Sequence, residues 1–249
     1  MKTALVLSFV GTGYCGWQVQ RACLTTVQAA MCAAAESIYG KPVPVTGCLR
    51  TDAGVHALGY VCHIDAPFFI DTGKLPLAFN RLLPPDIAVR GAFAVGDDFH
   101  ARYSALGKEY VYRVLNRALR DPFCENRALL YPHPLDVGAL ESAGRAFVGT
   151  HDFASFMSAG SGITDTVRTV TGFRVTRSGD FVEIAVSADG FLYNMVRIMA
   201  GTLIYEKNID YDTVSRMIAS RARSAAGATA PAHGLYLNRV FYPERFGIR

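Results

Sequence analysis

Residues 55–65 alternate in period two, with Val55, Ala57, Gly59 and Val61 on one side and His56, Leu58, Tyr60 and Cys62 on the other. That period belongs to a β-strand. Upstream, Pro42 and Pro44 forbid helix and introduce an extended stretch, because proline lacks an amide donor and drives the residue before it out of the helical region. Residues 43–47 therefore read as a second strand, and Arg50-Thr51-Asp52-Ala53-Gly54 joins the two. The stretch commits the chain to a sheet. It also leaves one carboxylate, Asp52, on a tight turn at a strand junction, between an arginine and a glycine.

The flanking segments extend the pattern. Residues 3–10 form a strand ended by Gly11 and Gly13, and Thr25 or Thr26 can cap a helix over 27–39 that closes at Gly40. A helix over 74–83 stops at Pro84-Pro85, and 87–95 is another strand. The order strand, helix, strand, strand, helix, strand is that of a ferredoxin-like unit. In the second half, 108–116 is a strand with Tyr110, Tyr112 and Val114 on one face, and Asp136 caps a helix running to about Val148. Residues 167–177 and 180–188 form a hairpin around Ser178-Gly179. A long apolar helix covers 191–206, a basic one 212–223, and a closing strand 234–242. The expectation is an α+β chain in two halves, residues 1–104 and 105–249, similar in element order but without a sequence repeat.

At 249 residues with 51% hydrophobic and 18% charged residues, the chain can bury a substantial core. A net charge of +4 is compatible with a nucleic-acid partner but does not establish one. The six cysteines form no C-x-x-C pair and have no zinc-finger spacing, so they read as reduced, buried thiols of a cytoplasmic protein. The apolar run at residues 4–10 is short and lacks a leader cleavage signature. No stretch reaches the roughly 18 apolar residues needed to span a membrane, so no membrane association is expected. The six histidines are scattered, and neither G-x-x-x-x-G-K-[ST] nor G-x-G-x-x-G occurs. Neither a metal nor a nucleotide cofactor is expected.

Four sets of residues could carry chemistry. An isolated turn aspartate most often only satisfies nearby backbone amides. Arg50 and Asp52, however, are two apart, so in an extended segment both project to one side. A guanidinium there keeps a carboxylate ionised and ready to attack. Arg197 lies in the apolar helix, where a cation needs a partner; that partner could be any structural carboxylate, or Asp52. Tyr110 and Tyr112 share a strand face, either as core or as a platform on which a nucleobase stacks. Arg113, Arg117, Arg120 and Arg127 form one basic cluster, and Arg216, Arg221 and Arg223 another. They are a solvated face, or a phosphate-binding surface if they share one side.

Taken together the motifs resemble the tRNA pseudouridine synthases of the TruA type. Gly11-Thr12-Gly13-Tyr14-Cys15-Gly16-Trp17-Gln18-Val19-Gln20 resembles the family's N-terminal motif, and Arg50-Thr51-Asp52-Ala53-Gly54-Val55-His56-Ala57 resembles its catalytic one. Residues 80–87, 98–105, 108–113, 149–153, 195–197 and 234–237 match in order as well. The resemblance implies two ferredoxin-like (RRM-like) halves sharing a continuous, mostly antiparallel sheet. It implies Asp52 as nucleophile, Arg50 and Arg197 as the cations that orient it, and Tyr110 as the residue that stacks on the target uracil. It also implies a cofactor-free homodimer acting on uridines 38 to 40 of the tRNA anticodon stem-loop. Three positions depart from the pattern: Val10 replaces an aspartate, Leu49 a glycine, and residues 204–207 lack the glycine that usually closes the helix.

The reaction breaks the C1′–N1 bond of uridine, turns the base and rejoins it through C5. No electron or group is exchanged with another molecule. Asp52 either attacks the sugar or abstracts a proton to start an elimination, and both routes stay open. A non-catalytic RNA-binding module would use the same surface without turnover. A glycosidase-like hydrolase would need a second carboxylate.

Overall fold

The computed structural model describes residues 2–248. It is an α+β protein that divides into two compact units, residues 2–106 with 237–248, and residues 107–236. The C-terminal segment thus belongs to the first unit, and the second stops at Tyr236.

The first unit begins with β1 (Lys2–Phe9), α1 (Val27–Tyr39), β2 (Val45–Gly47), β3 (His56–Asp65), α2 (Leu75–Leu82) and β4 (Ile87–Val95). Its strands run β4-β1-β3, with β2 also on β3 and every pairing among them antiparallel. This is the ferredoxin-like arrangement expected from the element order. Thr26 caps α1 by accepting from the Ala29 amide at 3.3 Å, and Gly40 ends it in the left-handed region. Val27, Met31, Ala34, Ala35 and Tyr39 are the buried positions of α1, one helical stripe. Leu5, Leu7, Met31, Tyr60, Ile64 and Phe79 are fully buried in this unit. The face of β3 that carries His63 is covered too: Phe99 packs on His63 with ring centroids 5.9 Å apart and on Phe246 at 5.0 Å. The alternation that identifies β3 therefore separates two buried faces, not core from solvent.

The second unit contains β5 (Gly107–Leu115), β6 (Leu129–Leu130), α3 (Val137–Gly144), β7 (Gly149–Asp152), β8 (Val167–Ser178), β9 (Phe181–Ala188), α4 (Met195–Tyr205) and α5 (Tyr211–Ser220). Strands β5-β9-β8-β7 pair antiparallel, and β6 runs parallel to β5. Val182, Ile184, Val186 and Ala188 of β9 point inward in strict alternation. α4 is buried on most sides, so it forms the centre of this unit. The last strand, β10 (Leu235–Phe241), contributes residues 237–241 to the first unit, where Asn238 lies against Gly59 of β3.

Three helices are shorter than their apolar patterns suggest. α3 stops at Gly144 and tightens into a 3-10 turn over Arg145–Phe147. α4 starts at Met195, not Phe191, because Asn194 is left-handed (φ 62°) and breaks the helix there. α5 ends at Ser220 because Arg221 is left-handed (φ 55°). α4 also ends without a left-handed residue, Glu206 being extended, which removes any need for the glycine missing from 204–207.

The cysteine expectation needs correction. Cys15 and Cys23 form a disulfide, while Cys48 and Cys62 are buried thiols and Cys32 and Cys124 half-buried ones. A turn closed by the Cys23 amide on the Gln20 carbonyl (3.3 Å) brings the pair together, a geometry no short spacing motif announces. Among the described residues no helix is long and apolar enough to cross a membrane.

Candidate active site

Asp52 lies on the loop between β2 and β3, and backbone contacts from the segment after β1 hold that loop. The Trp17 amide donates to the Thr51 carbonyl (3.4 Å), the Gly54 amide to the Tyr14 carbonyl (3.3 Å), and the Val55 amide to the Asp52 carbonyl (3.2 Å). Such proximity requires glycine. A Cβ on Gly11 would overlap the Val55 carbonyl oxygen, and one on Gly16 would overlap that of Thr51. The Gly11 amide donates to His56 Nδ1 at 3.0 Å, so that ring nitrogen is an acceptor. Trp17 stacks on Tyr60 with centroids 4.1 Å apart, and the Tyr60 hydroxyl donates to the Leu49 carbonyl at 2.5 Å. These contacts give the N-terminal Gly-Thr-Gly-Tyr-Cys-Gly-Trp motif its physical role: it is the seat of the Asp52 loop.

Along the loop Arg50 is exposed, Thr51 buried and Asp52 half-buried, the alternation an extended segment produces. The Thr51 hydroxyl is buried without a hydrogen-bond partner. Of the departures from the family pattern, Leu49 is half-buried with its carbonyl held by Tyr60, and Val10 donates its amide to the Asp86 carbonyl at 2.9 Å. Asp86 also accepts from the Tyr14 hydroxyl at 2.6 Å, and burial first, then this bond, raises the pKa of that phenol above its ordinary value.

Tyr110 and Arg197 stand in the second unit. Tyr110 is 8% exposed, and its ring meets Phe191 edge-on with centroids 5.2 Å apart. Tyr112 is core: fully buried, its hydroxyl donates to the Pro231 carbonyl at 2.9 Å, and burial pushes its pKa well up. Arg197 is half-buried in the first turn of α4. Its Nε donates to the Ala230 carbonyl (2.8 Å) and its Nη1 to Asn194 Oδ1 (2.7 Å). The sequence reading missed Asn194 and Ala230; Asn194, three residues before the arginine, was the available signal.

Several of the basic residues are already paired. Arg113 binds Glu183 at 2.7 Å and lies over the Tyr236 ring at 4.6 Å, Arg117 faces Asp180 at 3.4 Å, and Arg221 pairs with Asp152 at 3.1 Å. Arg120 and Arg127 are exposed. The clusters are thus mixed-charge surfaces more than uniform phosphate grips.

The profile of a family described as tRNA pseudouridine synthase matches residues 143–243. The matched profile is that of RNA-modifying isomerases, and it covers most of the second unit and the whole of the last strand. The chain is 42% identical over 246 residues to the tRNA pseudouridine synthase A of Bacillus licheniformis, covering 97% of this chain and 99% of that one. It is 42% identical over 240 residues to the protein of the same name from Thermoanaerobacter pseudethanolicus (96% and 98%), and 41% over 244 residues to that of Ruminiclostridium cellulolyticum (97% and 99%). The chain belongs to the tRNA pseudouridine synthase A family, isomerases that convert uridine in tRNA to pseudouridine.

Proposed function

We propose that this enzyme isomerises uridines 38 to 40 of the tRNA anticodon stem-loop, with Asp52 as nucleophile. The carrying observation is the seat of Asp52: a half-buried carboxylate on a loop whose neighbours Thr51, Gly54 and Val55 are tied by backbone bonds. A nucleophile needs such preorganisation, because small misplacements cost large factors in rate. The base must leave the stack before its atoms can react. Tyr110 takes the role of the aromatic platform that replaces lost stacking, worth about 1–3 kcal/mol per base. Phe191 packs edge-on against that ring. Arg50 and Arg197 serve as the cations of the carboxylate chemistry. The C1′–N1 bond breaks, C1′–C5 forms, C5 loses its proton and N1 gains one. Every atom is accounted for without a cofactor.

The test uses tRNA tritiated at uridine C5. Asp52→Asn is expected to abolish tritium release while retaining tRNA binding; full release by that variant would rule out the nucleophile. Mapping pseudouridine in tRNA treated with the wild-type protein tests the positions. Homodimerisation, also proposed, predicts twice the chain mass at micromolar concentration in analytical ultracentrifugation, and a monomer mass would reject it.

A further inference from the structure

We infer that Asn194 is a positioning residue for Arg197, an assignment that rests on the role proposed above for that arginine. Asn194 immediately precedes α4 in the left-handed region, with φ 62° and ψ 10°. Asparagine tolerates this conformation better than most residues. An N-cap asparagine in the extended region turns its side-chain oxygen onto a first-turn amide. Asn194 makes no such bond. Its Oδ1 instead accepts from Arg197 Nη1 at 2.7 Å, and its Nδ2 donates to Ser158 Oγ at 3.0 Å. With one end on an arginine and the other on a serine, the amide is fixed in orientation.

Arg197 is the third residue of α4, at the positive end of the helix dipole, where a cation is disfavoured. Two of its acceptors come from different segments: Asn194 before the helix and the Ala230 carbonyl. The residue 230 backbone is itself pinned, its amide donating back to the Arg197 carbonyl at 3.0 Å. Two bonds from separate segments set both the tilt and the rotation of a planar guanidinium. Both acceptors are neutral, so these two bonds aim the cation without cancelling its charge. An amide tied at one end to Ser158 and at the other to the guanidinium, with no bond to a first-turn amide, serves the orientation of that cation and not the helix end.

The test compares Asn194→Gly, which keeps the left-handed backbone and deletes the amide, with Asn194→Asp, which keeps the acceptor oxygen but puts a negative charge on Arg197. Both should lose about tenfold or more in kcat with KM changed by less than about threefold, the pattern of an interaction that matters in the transition state. Combining Asn194→Gly with Arg197→Gln should add little to the loss from Arg197→Gln alone. Wild-type kcat in either single variant, or fully additive losses, overturns the assignment. Circular dichroism and thermal melts establish folding, and Asn194→Asp carries the test if the glycine variant does not fold. Full activity in Arg197→Gln would instead defeat the proposed role of Arg197, a separate failure.

Discussion

Gly16 is set against Thr51 so closely that a methyl group on Gly16 would overlap the Thr51 carbonyl oxygen, and its φ of +83° is one that L side chains rarely adopt. The overlap falls on the residue just before Asp52, and the strain on the Gly16 backbone packed against it. Gly16→Ala should cost at least about 2 kcal/mol of stability. It should also lower turnover at temperatures where the variant is fully folded, because the carboxylate's loop must move. Gly13→Ala is the control, since nothing lies within 4 Å of the Cβ it would add. Thermal melts and tritium release measure both; equal behaviour of the two variants would refute the seat.

The disulfide supports the same seat from the other side. Cys15 lies between Tyr14 and Gly16, which both touch the Asp52 loop, and it is tied to Cys23 eight residues on. A loop this short contributes about 2.5 kcal/mol by constraining the unfolded chain. Reduction with a dithiol, or Cys23→Ser, should lower the urea midpoint, and the unfolding free energy extrapolated to water should fall by an amount of that order. Thiol counting under denaturing conditions should show four free cysteines before reduction and six after. An unchanged midpoint after complete reduction would mean that the bridge constrains nothing that unfolding releases.

His63 predicts a pH dependence. It is 4% exposed, and its Nδ1 accepts from the Ala101 amide at 3.2 Å. Burial first, then His100, and also Lys2, lower its pKa from 6.5 to about 4, against an opposing pull from Asp65. The folded chain therefore resists a proton that the unfolded chain accepts. Stability from this group is whole above pH 6.5, is lost as pH falls towards 4, and changes no further below that, a total on the order of 3 kcal/mol. Urea denaturation at pH 7 and 4.5 should show His63→Gln losing less stability on acidification than the wild type. Parallel losses would contradict the reading.

The local order of the fold was legible because its signals are local. Thr26, Gly40 and Pro84-Pro85 bound their helices through backbone chemistry that needs no tertiary knowledge, and period two marked β3 and β5. The start of α4 was not legible, since residues 191–193 continue the apolar run and the helix begins only after the left-handed backbone of Asn194. Nor was the disulfide, which depends on how residues 15–23 turn. The sequence named candidate site residues but not what supports them. Asp52 and Arg197 announce themselves by residue type, whereas the carbonyls and glycines that hold them carry no side-chain signature.

Gly201 sets helix propensity against packing. It lies within α4, where alanine in place of glycine would ordinarily gain about 1 kcal/mol. But a Cβ there would overlap the Ala228 carbonyl oxygen and stand 3.0 Å from the Ala230 amide nitrogen. The obstacle is backbone, and that backbone is held in turn: the Gly227 amide donates to Thr202 Oγ1 at 3.0 Å, and the Tyr112 hydroxyl to the Pro231 carbonyl at 2.9 Å. It cannot yield cheaply, so packing outweighs propensity, and Gly201→Ala should destabilise by about 1–3 kcal/mol. Turnover should fall as well, because the displaced residue 230 carries the carbonyl that receives Arg197 Nε. Gly138→Ala in the first turn of α3, whose added Cβ would meet only Asp136 Oδ1 at 3.4 Å, should leave stability equal or raise it by up to about 1 kcal/mol. Urea melts of the two variants decide the matter: a Gly201→Ala protein as stable as the wild type would show that residues 227–231 can shift and that Arg197 is not held from that side.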